Sequence, residues 1–256
     1  MDGRASRGRP VRLTMATRSG HDPGHSHGHA LILADGDPPD AARLDAAWPG
    51  WSDGIDLIVA ADGGAAYADS LGLGPVDLWV GDGDSLSPSA LEVLRLAGVP
   101  IELSAADKDE SDTELAVLAA IDRGATRLTV LGAFGGPRLD HALANVLLLG
   151  HPRLIDRSVT LLAPAARMRL IQAPGTGDGR VSLSLSGRPG DLVSLLPFAG
   201  PAGGVTTSGL RYALIDEALE VGPARGLSNV LIGSTASVSL KVGSLLVVET
   251  PVTLSE

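Results

Sequence analysis

The chain has 256 residues, 44% of them hydrophobic but only 3% aromatic, a formal net charge of −10 and no cysteine. That is enough length and apolar content for one large domain or two modest ones, with a core of Leu, Val, Ile and Ala. The cysteine count excludes disulfides, thiolate metal sites and cysteine nucleophiles and fits a reducing cytoplasm; an acidic chain poor in aromatics argues against nucleic acid as a partner, and no apolar run approaches the roughly 18 residues of a membrane span.

Residues 1–28 carry five arginines, many Gly and Ser and no periodic apolar pattern, so they are predicted to be a disordered lead-in. His21, His25, His27 and His29 cluster there, either as a transition-metal site or as part of a floppy tail. From Ala30 short apolar runs alternate with helical patterns. Ala30–Leu33, Leu57–Ala61, Leu78–Val80, Ile101–Leu103, Leu128–Leu131 and Val159–Leu162 read as strands covered on both faces. Asp40–Trp48 has helical spacing, Ser87-Pro88 offers a cap and a first-turn proline for Ala90–Ala97, and Ser111-Asp112-Thr113-Glu114 is a capping box. A last helix is predicted with Leu139, Leu143, Val146 and Leu147 as its apolar stripe and Arg138, His141 and Asn145 on the opposite, polar side. Alternating β and α units imply a three-layer α/β/α domain with a mostly parallel sheet.

After about Pro164 the pattern changes. Val181–Leu185, Leu192–Leu196, Val230–Ile232, Val238–Val242 and Leu245–Val248 read as strands punctuated by Gly, Pro and Ser, with no amphipathic helix between them. This predicts a second, all-β domain, a sandwich, with the boundary near Ala163–Gln172. The expected division is residues 1–28 as the extension, 29–163 as the α/β domain and 164–256 as the β domain.

Four polar, glycine-rich blocks end the apolar runs of the first half: Asp62-Gly63-Gly64-Ala65, Gly81–Ser85, Asp107–Asp112 and Gly135–His141. In open α/β sheets ligands sit beyond the carboxyl ends of the strands, where these blocks fall. Crowded carboxylates repel one another, so a fold that converges them needs a cation, and oxygen-only ligands suit Mg²⁺. Asp82 and Asp84, two apart, project to one side of an extended strand end and suit one cation; they equally suit an ordinary turn. Lys108 either holds a phosphate or balances the acids around it, and Asp112 either binds metal or complements its helix dipole. Gly63 and Gly64 allow close approach of the backbone to a ligand, and the helix start after Gly135-Gly136 suits an anion.

In order, these blocks resemble the thiamine pyrophosphokinase family over about Leu31 to Val248. The matching segments are Ala-Asp-Gly-Gly-Ala at 61–65, Gly-Asp-x-Asp-Ser at 81–85, Lys-Asp-x-Ser-Asp at 108–112, Arg-Leu-Asp-His at 138–141, Val193–Pro197, Gly209-Leu210-Arg211-Tyr212 and Ser228-Asn229. The resemblance implies an α/β catalytic domain joined to a β-sandwich that binds thiamine and dimerises. It implies a homodimer with thiamine between subunits, and transfer of the pyrophosphoryl group of ATP to the thiamine hydroxyl to give thiamine diphosphate and AMP. It implies Asp62, Asp82, Asp84 and Asp112 as the Mg²⁺ set, and Asp82, Asp84, Asp112 and Asp109 as the acids of the catalytic centre. Gly63, Gly64, Lys108, Arg138, Asp140 and His141 are implied on the ATP side, and Tyr212, Ser228 and Asn229 on the thiamine side. The same scaffold also suits a pyrophosphokinase for another alcohol, such as a pterin, or a non-catalytic sensor. Three positions depart from the family's pattern: Gly83 in place of an aromatic, Ser111 in place of threonine, and Pro137 inserted ahead of Arg138, which is expected to displace that arginine.

Overall fold

The computed structural model describes residues 28–83, 86–105, 107–174 and 179–252. The first strand, β1 (His29–Leu33), is buried along its whole length, as are β2 (Leu57–Ala61) and β3 (Leu78–Gly81); β4 (Ile101–Leu103) is the more open edge. With β5 (Arg127–Leu131) and β6 (Ser158–Ala163) they form a parallel array in the order β6-β5-β1-β2-β3-β4. Near-continuous apolar runs fit this burial, because helices cover both faces.

The helices begin where the sequence provides caps. Asp40 caps α1 (Ala41–Ala47), accepting from the Arg43 N–H at 3.0 Å. Ser87 caps α2 (Pro88–Leu96), whose proline sits in the first turn, and Ser111 caps α3 (Asp112–Asp122), accepting from the Glu114 N–H at 3.1 Å. The fourth helix, α4 (Leu139–Leu148), has no side-chain cap. One face of the sheet packs against α3 and the core that includes Leu149, while the other packs against Leu44, Trp48 and Leu94 of the α1/α2 layer.

The second half is a β-sandwich, but one of its layers is the same sheet continued. Strand β7 (Ala166–Gln172) folds back on β6, and β14 (Ser244–Thr250), β9 (Leu192–Pro197) and β12 (Asn229–Val230) follow, all antiparallel, completing ten strands. The other layer is β8 (Val181–Ser186), β10 (Ala202–Ser208), β11 (Glu217–Leu219) and β13 (Thr235–Leu240), in the order β11-β10-β13-β8. Alternation on β14 serves both halves: Leu246 and Val248 face the α/β core, and Leu245 and Val247 face the sandwich core. A strand therefore fills the stretch where the composition predicts a boundary.

Two expectations are corrected. His29 does not belong to a tail cluster; it is buried at the start of β1, where Arg127 donates to its Nδ1 at 2.9 Å and its Nε2 bonds Thr129 Oγ1 at 2.9 Å. Its companions His21, His25 and His27 lie outside the described residues. The apolar stripe of α4 also points the other way: Leu139, Leu143 and Leu147 are 73%, 56% and 65% exposed, while Asn145 is buried and donates to the Ala133 carbonyl at 2.8 Å. Val146, Leu148 and Leu149 pack on the core instead, and the Asn145 bond to the loop after β5 sets which side of the helix faces it.

A buried ion cluster closes the seam between α1 and the sandwich. Glu249 on β14 is 5% exposed and accepts from Arg167 Nε at 2.8 Å, Arg167 Nη2 at 2.6 Å and Arg169 Nη2 at 2.6 Å. Arg167 lies 4.7 Å over the Trp48 ring, and Trp48 donates its indole N–H to the Ala163 carbonyl at 2.8 Å. Removing one member of a buried pair strands the other charges, at a cost of about 3–5 kcal/mol. Glu249→Ala is accordingly expected to lose about that much stability in urea unfolding, whereas Arg225→Ala, which breaks an exposed pair with Glu217, loses less than about 1 kcal/mol. Equal losses would remove the special standing of the seam.

Candidate active site

Strand order reverses at β1. The chain leaves it toward β2, continues to β3 and β4, and returns by way of α3 to β5 on the other side. The loops leaving β1 and β5 therefore diverge and open a crevice, the usual ligand position in such sheets. A cavity of about 540 Å³ occupies it. Its walls come from the ends of β1, β2 and β5 and from the first turns of α3 and α4, and include Asp35, Asp62, Asp112, Arg138, Asp140 and His141.

Asp62 follows β2 and opens a 3₁₀ turn over Asp62–Tyr67. It is 8% exposed and its φ of 46° is left-handed, a strained position for a residue with a Cβ. Trp79 holds it there by donating to its carbonyl at 3.0 Å. Burial pushes the Asp62 carboxyl up to about 7, helped by its hydrogen bond with Asp112 and by the charges of Asp112, Asp82 and Asp35. Lys108 donates to Asp112 and to Ser104 Oγ, and so balances one member of the group. Among the described residues no three acidic or histidine side chains form a finished metal cage. Asp84, the remaining member of the expected set, lies outside the described residues, as does Ser85.

The structure thus brings Asp62, Asp82 and Asp112 together, with Lys108 beside them, and puts Arg138, Asp140 and His141 on the same cavity. Asp109 is exposed on the preceding loop and does not line the cavity. Gly63 and Gly64 admit the protein's own β1 rather than a ligand: a Cβ at Gly63 would lie 2.1 Å from Asp35 Oδ1, and at Gly64 2.1 Å from the Leu33 carbonyl oxygen. Asp35, absent from the sequence expectation, joins the acids from the end of β1; burial pushes its carboxyl up, against the effect of the Gly63 N–H. The only hint in the sequence was Asp-Gly-Asp directly after an apolar run.

On the opposite wall Arg138 pairs with Asp140, Nε to Oδ1 at 3.2 Å and Nη2 to Oδ2 at 2.5 Å, and holds the Asp140 carboxyl down to about 2. Arg138 provides no side-chain cap, and the Asp140 N–H is taken by the Asp140 carboxylate itself, so the neighbouring first-turn N–H groups of α4 are the ones left for an anion. Tyr212, Ser228 and Asn229 are elsewhere. Asn229 is buried at the start of the edge strand β12; its Oδ1 accepts from the Tyr212 N–H at 2.9 Å and its Nδ2 donates to the Tyr212 carbonyl at 2.7 Å. That clamp projects the Tyr212 side chain, 63% exposed, into solvent. Six strand spacings separate β12 from β1 and seven separate it from β2, so roughly 30 Å of sheet lies between the tyrosine and the acids of its own chain.

The Asp62 proton has a consequence for the metal-free protein. Its folded pKa, about 7, lies above the ordinary 3.8. The group's contribution to stability is full below about pH 4 and is lost as pH rises through about 7. Melting temperature in EDTA is expected to fall between about pH 4 and 7 and then level off, and Asp62→Asn, which does not ionise, is expected to flatten that slope and melt about 2–4 °C higher at the alkaline end for each kcal/mol relieved. An identical slope in the variant would assign the pH dependence elsewhere.

Comparison with known proteins bears on both halves. The family model described as "Thiamin pyrophosphokinase, catalytic domain" matches residues 51–161, and "Thiamin pyrophosphokinase, vitamin B1 binding domain" matches residues 180–246. The thiamine pyrophosphokinase of Bacillus subtilis is 26% identical over 199 residues, 78% of this chain and 89% of the relative. The crystal structure of a thiamin pyrophosphokinase family protein from Enterococcus faecalis superposes with a TM-score of 0.70 at 26% identity, covering 87% of this chain and 99% of that one. The Bacillus subtilis crystal structure superposes at 0.72 with 23% identity over the same shares, a likeness of fold. Matched in both its catalytic and its vitamin-binding halves, the chain belongs to the thiamine pyrophosphokinase family.

Proposed function

We propose that the protein is a cytoplasmic, homodimeric enzyme that transfers the pyrophosphoryl group of ATP to the hydroxyl of thiamine, giving thiamine diphosphate and AMP. The observation that carries this reading is the pairing, across one cavity at the reversal of strand order, of an acid cluster with an uncapped helix start. One wall is suited to a cation and the other to an anion, which together make a receptor for a metal polyphosphate.

The donor set fits Mg²⁺. It consists of oxygens alone, and burial together with the charges of Asp112, Asp82 and Asp35 pushes the Asp62 carboxyl up to about 7, an environment that a cation would relieve. Mg²⁺ usually takes one or two carboxylates and completes its shell with water and substrate phosphates, so an unfinished protein cage is the expected form of such a site. Asp62, Asp82 and Asp112 would hold it, with Asp84 as the fourth ligand. A bound Mg²⁺ would supply positive charge there to offset the charge that develops on the polyphosphate. Lys108, now paired with Asp112, together with Arg138, His141 and the first-turn N–H groups of α4, binds the polyphosphate, and Asp140 orients Arg138. Most of the rate then comes from alignment of the thiamine hydroxyl with the β-phosphorus and from fixed electrostatics.

The homodimer reading rests on distance. Tyr212 and Ser228 flank β12, which the sheet order puts six strand spacings from β1 and seven from β2, after which Asp62 lies, so roughly 30 Å of sheet separates them from the acids, too far for one thiamine to touch both. A second copy that brings its β12 edge to this cavity completes the site. Tyr212 stacks on the heteroaromatic cation of thiamine with its flat face, and Asn229 acts by holding Tyr212 in place.

Incubation with ATP, Mg²⁺ and thiamine is expected to yield AMP in step with thiamine diphosphate. Stoichiometric ADP with thiamine monophosphate would replace this reading with a simple kinase. Asp112→Asn and Tyr212→Ala subunits, each nearly inactive alone at modest thiamine, are expected to regain activity when mixed into heterodimers. Absence of rescue in confirmed heterodimers would put the whole site within one subunit.

A further inference from the structure

The loop that carries Arg138 is held by a carboxylate that touches neither the cavity nor the acid cluster. Asp37 lies in the loop after β1, and its Oδ1 accepts from the Gly136 N–H at 2.9 Å. Its own N–H donates to the Phe134 carbonyl at 2.7 Å, and the preceding Gly36 N–H donates to the Gly132 carbonyl at 2.8 Å. Tyr67 closes the other side by donating its hydroxyl to the Gly36 carbonyl at 2.6 Å. These bonds continue the pairing of β1 with β5 beyond both strands, across the mouth of the crevice. The fit against Gly135 is close: a Cβ built there would lie 1.9 Å from Asp37 Cγ, and its φ of 85° is left-handed. Gly135 and Gly136 lead directly into Pro137 and Arg138, then into the uncapped start of α4.

We infer that Asp37 is a positioning residue for the anion-binding wall: by accepting from Gly136 it fixes the Gly135–Arg138 turn, and through it the first-turn N–H groups of α4, in the arrangement that receives the polyphosphate of ATP. This rests on the function proposed above. The acceptor oxygen does the work, and the negative charge does not, since a carboxylate near a polyphosphate is repulsive. Asn at this position keeps the acceptor and removes the charge; Ala removes both.

Binding of α,β-methylene-ATP with Mg²⁺, measured calorimetrically, separates the cases, because this analogue resists cleavage at the bond the reaction breaks. Asp37→Ala is expected to weaken analogue binding and raise the ATP KM by about tenfold, the upper end for one net intramolecular hydrogen bond. The thiamine KM stays within about twofold, since uniform binding of one substrate is lost. Asp37→Asn retains wild-type affinity. Hydrogen exchange at the Gly136 amide of the ligand-free protein adds a measurement independent of nucleotide: it quickens in Asp37→Ala and not in Asp37→Asn. Wild-type analogue affinity in Asp37→Ala, an Asn variant as weak as the Ala variant, or unchanged Gly136 exchange each overturns the inference while leaving the proposed function in place. Failure of the wild-type chain to bind the analogue overturns both.

Discussion

The reversal of strand order at β1 is the constraint from which the site follows. A parallel strand with parallel neighbours on both sides sends its chain one way while the chain arriving on the other flank leaves in the opposite direction. Loops that diverge do not cover one another, so the strand ends stay open and their backbone groups need partners. The Asp35–Asp37 and Gly132–Gly136 segments supply some of those partners to each other. The space between is left to a ligand.

Into that space the chain sends charge at a cost to its own stability. Asp62 is buried, has a left-handed backbone and lies within range of Asp35, Asp82 and Asp112. Each of these conditions is unfavourable alone, and a fold keeps them together only where the surrounding packing over-determines them. The Trp79 indole, buried at 0% exposure and bonded to the Asp62 carbonyl, is part of that packing. A bound cation would convert the repulsion into coordination, so the same residues that weaken the free chain make it receptive.

The second half of the molecule is joined through a shared sheet rather than a linker. Because β7 and β14 contribute alternate residues to two cores, the sandwich has a fixed orientation relative to the acid cluster. The Arg167–Glu249–Arg169 group, with Trp48 against it, fills the gap where the α1 layer stops and the β8 layer begins. That attachment sets Tyr212 beside the far edge of the ten-stranded sheet, away from the acids of the same chain.

The sequence by itself determined the alternation of strand and helix, the positions of the caps at Asp40, Ser87 and Ser111, and the order of the acid blocks. All of these are local: a cap bonds within three residues, and apolar runs record burial directly. The order of the acid blocks also carried the family resemblance that pointed to Asp62, Asp82, Asp84 and Asp112, a pattern of short local motifs rather than of contacts. Tertiary structure decided the rest. The strand β7 was hidden because Arg167 and Arg169 occupy inward positions that only Glu249, some eighty residues later, makes tolerable. Leu139, Leu143 and Leu147 of α4 face outward because Asn145 finds its partner in the loop after β5, a bond that no helical periodicity encodes. Gly63 and Gly64 make room for β1 rather than a ligand, and Asp37 reaches Gly136 across ninety-nine positions. In each case the energy lies in a contact between residues distant along the chain, and the pattern of either segment alone carries no trace of it.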